Sequence, residues 1–313
     1  MNVVDVPWLL ALSILQATVR AGTPVLYAAL GELLAEKSGV LNLGVEGMMI
    51  MGAVTGFMVG QSTSNPWLGL LAAMVAGALM ALLFAVVTIT FRADPIVSGL
   101  ALVIFGVAFS NYIGSPYVQL PAKAVFSPVR FPFLSAIPFL GPAIFSHDWL
   151  VYISILLVPA IWYFINRTRP GLDISAVGEN PWAADSAGIN VNRTRYLCTI
   201  AGGALAGVGG AYLSMAYSPL WTNYMTANRG WIAIAVVIFS GRNPFLAMAG
   251  AYLFGGVDAL SMRMQAAGIH VSSFLVNMLP YILTILVLIA AARGRRTRLG
   301  PAALGRAFDR EES

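Results

Sequence analysis

Long apolar runs dominate the chain, and short polar or Pro/Gly-rich clusters separate each run from the next. A helix needs about 20 apolar residues to cross the hydrocarbon core of a bilayer. The runs are continuous and lack the two-residue alternation of barrel strands. They therefore predict an all-α integral membrane protein, a polytopic bundle of about eight to ten transmembrane helices with some short or broken ones. The predicted spans are 8–30, 39–61, 66–91, 96–115, 149–166, 194–216, 224–241, 244–262 and 271–292.

Two of these spans are weak. The first contains Gln16, Arg20 and Pro24, and the seventh has its strongest apolar stretch only at 230–239. The sequence leaves open whether the seventh run crosses the membrane or forms a half-helix or a re-entrant segment.

Composition agrees with a membrane protein, since 58% of the residues are hydrophobic and only 10% are charged. Soluble globular domains carry about 25% charged residues. The single cysteine, Cys198, excludes an internal disulfide, and the two histidines, His147 and His270, are far apart. We therefore expect no metal site, no cofactor and no catalytic residues. The net charge of +5 comes from loop and tail arginines, so it indicates membrane topology rather than nucleic-acid binding.

Lysine and arginine also predict the orientation. With alternating helices, thirteen of them fall on the side of loops 31–38, 92–95, 167–193 and 241–243 and of the C-terminal tail, and four fall on the other side. Cytoplasmic loops carry the excess of positive charge, so we expect the C-terminus in the cytoplasm. The predicted organisation is a single transmembrane domain over 1–292 and a basic cytoplasmic tail over 293–313, whose arginines contact anionic membrane lipid.

The chain lacks a phosphate-binding loop of the Walker type. Such a loop needs a lysine after a glycine, and the only lysines are Lys37 and Lys123, which follow Glu36 and Ala122. Any ATP chemistry must therefore come from a partner, and the chain is not expected to be an enzyme.

The loop 167–193 contains a predicted short helix. Asn180 is a good N-cap, Pro181 suits the first helical position, and Gly188 can end the helix. Ala183, Ala184 and Ala187 would then give a smooth face on which another protein could pack. The alternative is an ordinary amphipathic loop helix.

Five polar or aromatic residues are candidates for the substrate pathway. Asn42 and Glu46 are four residues apart and would share a helix face, either lining the route or forming a structural hydrogen bond that ties helices together or caps a broken helix after Gly39. Asn111 and Asn277 could bind a hydroxyl-rich ligand or join helices. Trp221 could stack on a base or sugar, or belong to an interfacial aromatic belt.

Three motifs carry a resemblance to a known family. Residues 36–49 read EKSGVLNLGVEGMM, residues 178–189 read GENPWAADSAGI, and residues 229–235 read RGWIAIA, with Pro244 following. The first resembles the signature of permease subunits in ABC importers for nucleosides and simple sugars, of which branched-chain amino acid permeases are more distant relatives. The second is similar to that group's coupling loop. The resemblance covers roughly residues 20–292.

The resemblance implies a transport subunit in a bacterial inner membrane that carries a nucleoside or a simple sugar. It also implies ATP-binding subunits, a second and usually non-identical permease, and an extracytoplasmic substrate-binding protein. A rival from another class is a stand-alone carrier or facilitator that uses Glu46. The resemblance further implies that the ATPase-coupling loop contains the residues Gly178, Glu179, Asn180, Ala183, Ala184, Ala187, Gly188 and Ile189.

Overall fold

The computed structural model describes residues 7–129, 146–266 and 300–309, together with residues 278, 279, 282, 285, 286 and 289. Most of the predicted span 271–292, including Asn277, lies outside the described residues. Over the described ranges the helices are α1 Pro7–Lys37, α2 Val45–Thr63, α3 Pro66–Ala85, α4 Pro95–Gly114, α5 Trp149–Arg167, α6 Arg169–Glu179, α7 Pro181–Ser186, α8 Val191–Tyr212, α9 Arg229–Phe239 and α10 Pro244–Ala266.

Several of these helices are long and apolar enough to cross a bilayer. Within the described ranges five segments meet that criterion, including the π-helical turns that extend α3 and α8. Leu71, Leu79 and Leu83 of α3 are each more than half exposed, as side chains that face lipid would be. The prediction of an all-α polytopic membrane bundle is confirmed. The five segments are Pro66–Thr90, Pro95–Tyr117, Trp149–Arg167, Val191–Tyr217 and Pro244–Met264.

Helix α8 packs at the centre of the bundle through glycines. A Cβ atom added to Gly52 of α2 would lie 2.4 Å from the backbone of Gly207 in α8. A Cβ added to Gly77 of α3 would lie 2.2 Å from the carbonyl oxygen of Gly203. Small residues let membrane helices approach to backbone contact, where dispersion replaces the hydrophobic effect as the packing force.

Two predicted spans are interrupted. The second does not begin at residue 39, because residues 38–44 form a non-helical connection and α2 starts at Val45. The seventh contains α9, whose 11 residues reach only about 16 Å. The seventh run is therefore a short helix, as the half-helix and re-entrant alternatives both allow.

Helix α4 shows how deep these interruptions lie. Gly106, near the middle of α4, approaches Gly47, and a Cβ added to Gly106 would lie 2.8 Å from the Gly47 Cα. Gly114, at the end of α4, contacts the Trp221 ring. The start of α2 is therefore level with the middle of α4, and Trp221 is level with its end.

The two ends of the bundle differ. We call the end where α1 stops the loop end, because the α3–α4 connection, the α6–α7 pair and residues 300–309 meet there. At the opposite end an extended segment, 118–126, pairs with 215–221. Its backbone N–H groups at Gln119, Ala122 and Phe126 donate to carbonyl oxygens of that stretch at 2.8–3.0 Å.

Candidate translocation site and coupling loop

The carboxylate of Glu46 binds the start of the half-helix α9. Its Oε1 accepts hydrogen bonds from the Thr226 hydroxyl at 2.5 Å and from the Asn228 N–H at 3.1 Å, and its Oε2 accepts one from the Gly230 N–H at 2.6 Å. The Glu46 residue is only 4% exposed. A negative charge is favourable at a helix N-terminus, where backbone N–H groups lack helical partners. Glu46 therefore caps α9 from a different helix.

Glycine at position 230 makes this contact possible. A Cβ atom there would lie 2.5 Å from the Glu46 Cα and 2.6 Å from its backbone nitrogen. The neighbouring Arg229 turns away to pair with Asp258 of α10 at 3.1 Å, and its guanidinium lies over the Tyr217 ring. The start of α9 is thus bound to α2 by a carboxylate and to α10 by an ion pair.

A second buried glutamate binds the other end of α9. Arg242, three residues after α9, places its Nε 2.6 Å from the Oε2 of Glu36 in α1. The Arg242 side chain is 9% exposed and the Glu36 side chain is fully buried. Glu32, one turn before Glu36, accepts the backbone N–H of Asn42 at 3.1 Å. These groups form a polar cluster close to the loop end of α1.

Asn42 lies in the non-helical connection before α2, so the expectation that it shares a helix face with Glu46 was wrong. Gly39 has a φ of +88°, which favours glycine and interrupts the helix. The Asn42 side-chain oxygen accepts the Gly44 N–H at 3.0 Å, a local turn that competes with helix formation. Asn42 therefore shapes the turn into α2.

Trp221 and Asn111 both contact the connection between α8 and α9. The Trp221 side chain is fully buried, and its indole packs on Gly114. The Asn111 side-chain oxygen accepts the Tyr224 N–H at 3.3 Å. Because the indole is buried, Trp221 does not belong to an interfacial aromatic belt. Roles of Asn42, Glu46, Asn111, Trp221 and Asn277 in binding substrate stay predictions.

The structure brings Glu46, Asn111 and Trp221 together around residues 218–230, whereas Asn42 lies toward Glu32. Sequence reasoning did not identify Thr226 or the Glu36–Arg242 pair. The sequence carried one signal for the contact between Glu46 and the start of α9, namely an Arg-Gly pair at the start of a short apolar run. Nothing in the sequence indicated that this pair lies next to Glu46.

The predicted helix of the loop is present. The Asn180 side-chain oxygen accepts the Ala183 N–H at 3.1 Å, and Pro181 occupies the first position of α7. Gly188 has a φ of +85°, and its N–H donates to the Asp185 carbonyl oxygen at 2.8 Å. The sequence therefore correctly placed both ends of a short capped helix.

The two faces of this loop have different surroundings. A Cβ added to Gly178 would lie 2.2 Å from the Lys37 carbonyl oxygen, so Gly178 lets α6 contact the end of α1. Ala184 is 3% exposed and packs with Val177 and Val191. Ala184 was expected on the outer face, and its burial corrects that expectation. Ile189 is half-buried, and the exposed residues of the predicted set are Glu179, Asn180, Ala183, Ala187 and Gly188.

Residues 14–292 match a family model described as the permease component of the branched-chain amino acid transport system. The chain belongs to this family of membrane permeases. The match includes the Glu46–α9 contact and the whole α6–α7 loop. The permease is therefore a transport subunit, and its bundle crosses the membrane several times.

Relatives of the permease have transporter names. TsgC13 of Haloferax volcanii, whose name assigns it provisionally to a glucose ABC transporter, is 41% identical over 96% of this chain and 98% of its own length. The guanosine ABC transporter permease protein NupQ of Bacillus subtilis is 36% identical over 88% of this chain and 90% of its own. A second guanosine permease protein of that bacterium, NupP, is 26% identical over 80% and 74%.

Proposed function

We propose that this permease is a membrane subunit of an ABC importer, that it moves a nucleoside or a simple sugar, and that separate ATPase subunits power it. An extracytoplasmic binding protein would deliver the solute. The loop end would then face the cytoplasm, in agreement with the arginine and lysine bias of the sequence. The permease family supports the transport role, and the names of the relatives support the substrate class.

One observation carries the proposal: a short, capped helix projects from a membrane bundle and exposes small side chains. Ala183, Ala187 and Gly188 are exposed on α7 and the turn that follows it. Within the part of the chain that the structure describes, a Cβ atom added to Gly188 would have no atom within 4 Å. An ATPase domain can approach such a surface closely, so this surface is the proposed docking site.

A non-identical second permease is the proposed partner in the membrane. Bacillus subtilis has two differently named guanosine permease proteins that both match this chain, and one of them is clearly more similar to it. Two different permease chains in each transporter would explain why one bacterium has two such proteins. The permease described here would then form one half of the translocation route.

The geometry of Glu46 argues against the rival carrier that uses this carboxylate. Among the described residues three donors bind its two oxygens, and these belong to the start of α9 or to the residues just before it. A proton-coupled carrier needs a carboxylate that is released and bound again during transport. Glu46 is engaged as a structural cap.

The decisive experiment is reconstitution into liposomes. With the ATPase subunits, the second permease and the binding protein present, labelled guanosine or glucose should enter only when ATP is supplied. The permease alone should accumulate neither solute under a proton or sodium gradient. Gradient-driven accumulation by the permease alone would favour the carrier.

Substitutions on α7 test the docking surface. Ala183→Trp should place a bulky ring on the exposed face, and we expect about a tenfold loss of ATP-driven uptake, since misplacing the groups that must meet is costly. Ala183→Ser keeps the small size and should behave as the unmodified protein does. Equal insertion of both variants into the membrane is the necessary control. Normal uptake with Ala183→Trp would count against docking at this surface.

A further inference from the structure

Residues 300–309 are bonded to several separate parts of the loop end. The Ala303 N–H donates to the Gly178 carbonyl oxygen at 3.0 Å, and the Gly305 N–H donates to the Gly39 carbonyl oxygen at 2.9 Å. The Arg195 side chain, near the start of α8, donates to the carbonyl oxygen of residue 306 at 3.0 Å. We call residues 300–309 the strap, since they join α6, the α1–α2 connection and α8.

The last residues of the strap pack directly on the coupling loop. The ring of Phe308 is 5.9 Å from that of Trp182 in α7, and Phe308 is only 8% exposed. Phe308 also belongs to the small apolar cluster formed by Val177, Ala184 and Val191. The Trp182 indole N–H donates to the Asp309 carbonyl oxygen at 3.1 Å. The inward face of α7 is therefore completed by the strap.

The strap also reaches the α3–α4 connection and α9. The carboxylate of Asp309 forms an ion pair with Arg92. At the other end of the strap, Gly300 lies against the guanidinium of Arg242, where a Cβ atom would be 2.6 Å from Nη2. Arg242 in turn pairs with Glu36. One short segment thus contacts the polypeptide near α1, α3, α6, α7, α8 and α9.

A helix of six residues is not stable by itself in water, because isolated helices shorter than about 12 residues are only marginally stable. The position of α7 must come from packing, and the structure places Phe308 in that packing. We infer that the strap positions α7 for coupling and transmits its displacement to the connections at Gly39 and Arg92, with Phe308 as the principal positioning residue. This inference rests on the proposed docking of an ATPase at α7.

The first test uses the complete reconstituted transporter and measures solute imported per ATP hydrolysed. Phe308→Ala should lower that ratio about tenfold, because truncating a buried Phe leaves a cavity and α7 can shift. Phe308→Leu keeps most of the apolar contact and should restore most of the ratio. Ala307→Ser changes an exposed neighbour in the strap and should have no effect. A merely structural role would lower the amount of inserted protein without changing the ratio.

The second test separates the strap from the basic residues that precede it. Ending the chain after Leu299 removes the strap but keeps the arginines between 293 and 298, and it should reproduce the Phe308→Ala defect. Replacing those arginines by glutamine with the strap intact should leave the ratio unchanged. A truncated permease with a normal or raised ratio would overturn the inference, and a raised ratio would indicate an inhibitory strap.

The third test does not depend on the ATPase. In the purified full-length permease, Phe308→Ala should raise amide hydrogen exchange over residues 176–190, whereas Ala307→Ser should not. If exchange is unchanged, the strap does not position α7. If Ala183→Trp lowers uptake while the Phe308 and truncation variants keep a normal ratio, docking at α7 stands and the role of the strap is refuted.

Discussion

The half-helix α9 is bound at both of its ends by a glutamate from another helix, but the two ends use different partners. At its start, Glu46 accepts two backbone N–H groups and the Thr226 hydroxyl. At its end, Glu36 pairs with the Arg242 side chain. Both charges match the helix dipole, with a carboxylate near the N-terminus and a guanidinium near the C-terminus.

The difference decides which substitutions each end can tolerate. The donors at Asn228 and Gly230 are backbone groups, so no second mutation can remove them once the carboxylate is lost. Both partners at the other end are side chains, and an apolar pair could replace them together. The start of α9 therefore requires a hydrogen-bond acceptor at position 46. Its end requires only that positions 36 and 242 are either both charged, with opposite signs, or both apolar.

Removing the carboxylate acceptor at position 46 should lower the free energy of unfolding more than any other change proposed here. Glu46→Ala leaves two backbone N–H groups and a hydroxyl without their charged acceptor, at a cost of about 4 kcal/mol, because hydrogen bonds to charged groups contribute about 1.5–3 kcal/mol each and are not additive. The measurement is the free energy of unfolding in mixed micelles of a mild detergent and SDS. Glu46→Gln keeps one acceptor oxygen and should lose about half as much. Equal stability of Glu46→Ala and the unmodified permease would show that the cap is dispensable.

Removing one partner of the ion pair at the end of α9 should lower the free energy of unfolding strongly, whereas replacing both partners should lower it little. Arg242→Met leaves Glu36 buried without its partner and should cost about 3 kcal/mol in the same assay. Combining it with Glu36→Leu removes both charges, and we expect the double variant to recover to within about 1 kcal/mol of the unmodified permease. A double variant that is less stable than the single one would mean that the pair itself, rather than matched charge, stabilises this end.

Local signals in the sequence predicted much of this structure. Apolar run length predicted the membrane helices, and the order Asn180, Pro181, Gly188 predicted the ends of α7, because caps and turn residues act on their immediate neighbours. The short apolar stretch at 230–239 indicated the short helix that α9 turned out to be. These features depend on residues that are close together in the chain.

The contacts around α9 could not be predicted, because they join residues far apart in sequence. Glu46 and Gly230 are 184 positions apart, and no local rule relates them. Asn42 shows that a local spacing rule can also mislead. Its four-residue spacing from Glu46 predicted a shared helix face, but Gly39 at positive φ and the Asn42–Gly44 turn keep residues 39–44 out of the helix. The buried cluster around Ala184 likewise includes Phe308, which is 124 positions further along the chain.

The smallest expected effect isolates the single side-chain donor at the start of α9. Thr226→Val keeps the β-branched shape but removes the hydroxyl that donates to the Glu46 Oε1 at 2.5 Å. That oxygen still accepts the Asn228 N–H, so the loss should be only about 1.5 kcal/mol, the low end of the range for one hydrogen bond to a charged group. Thr226→Ser retains the hydroxyl and should remain closer to the unmodified permease in the same unfolding assay. If Thr226→Val were as destabilising as Glu46→Ala, the hydroxyl rather than the backbone donors would hold the carboxylate, and the contrast between the two ends of α9 would disappear.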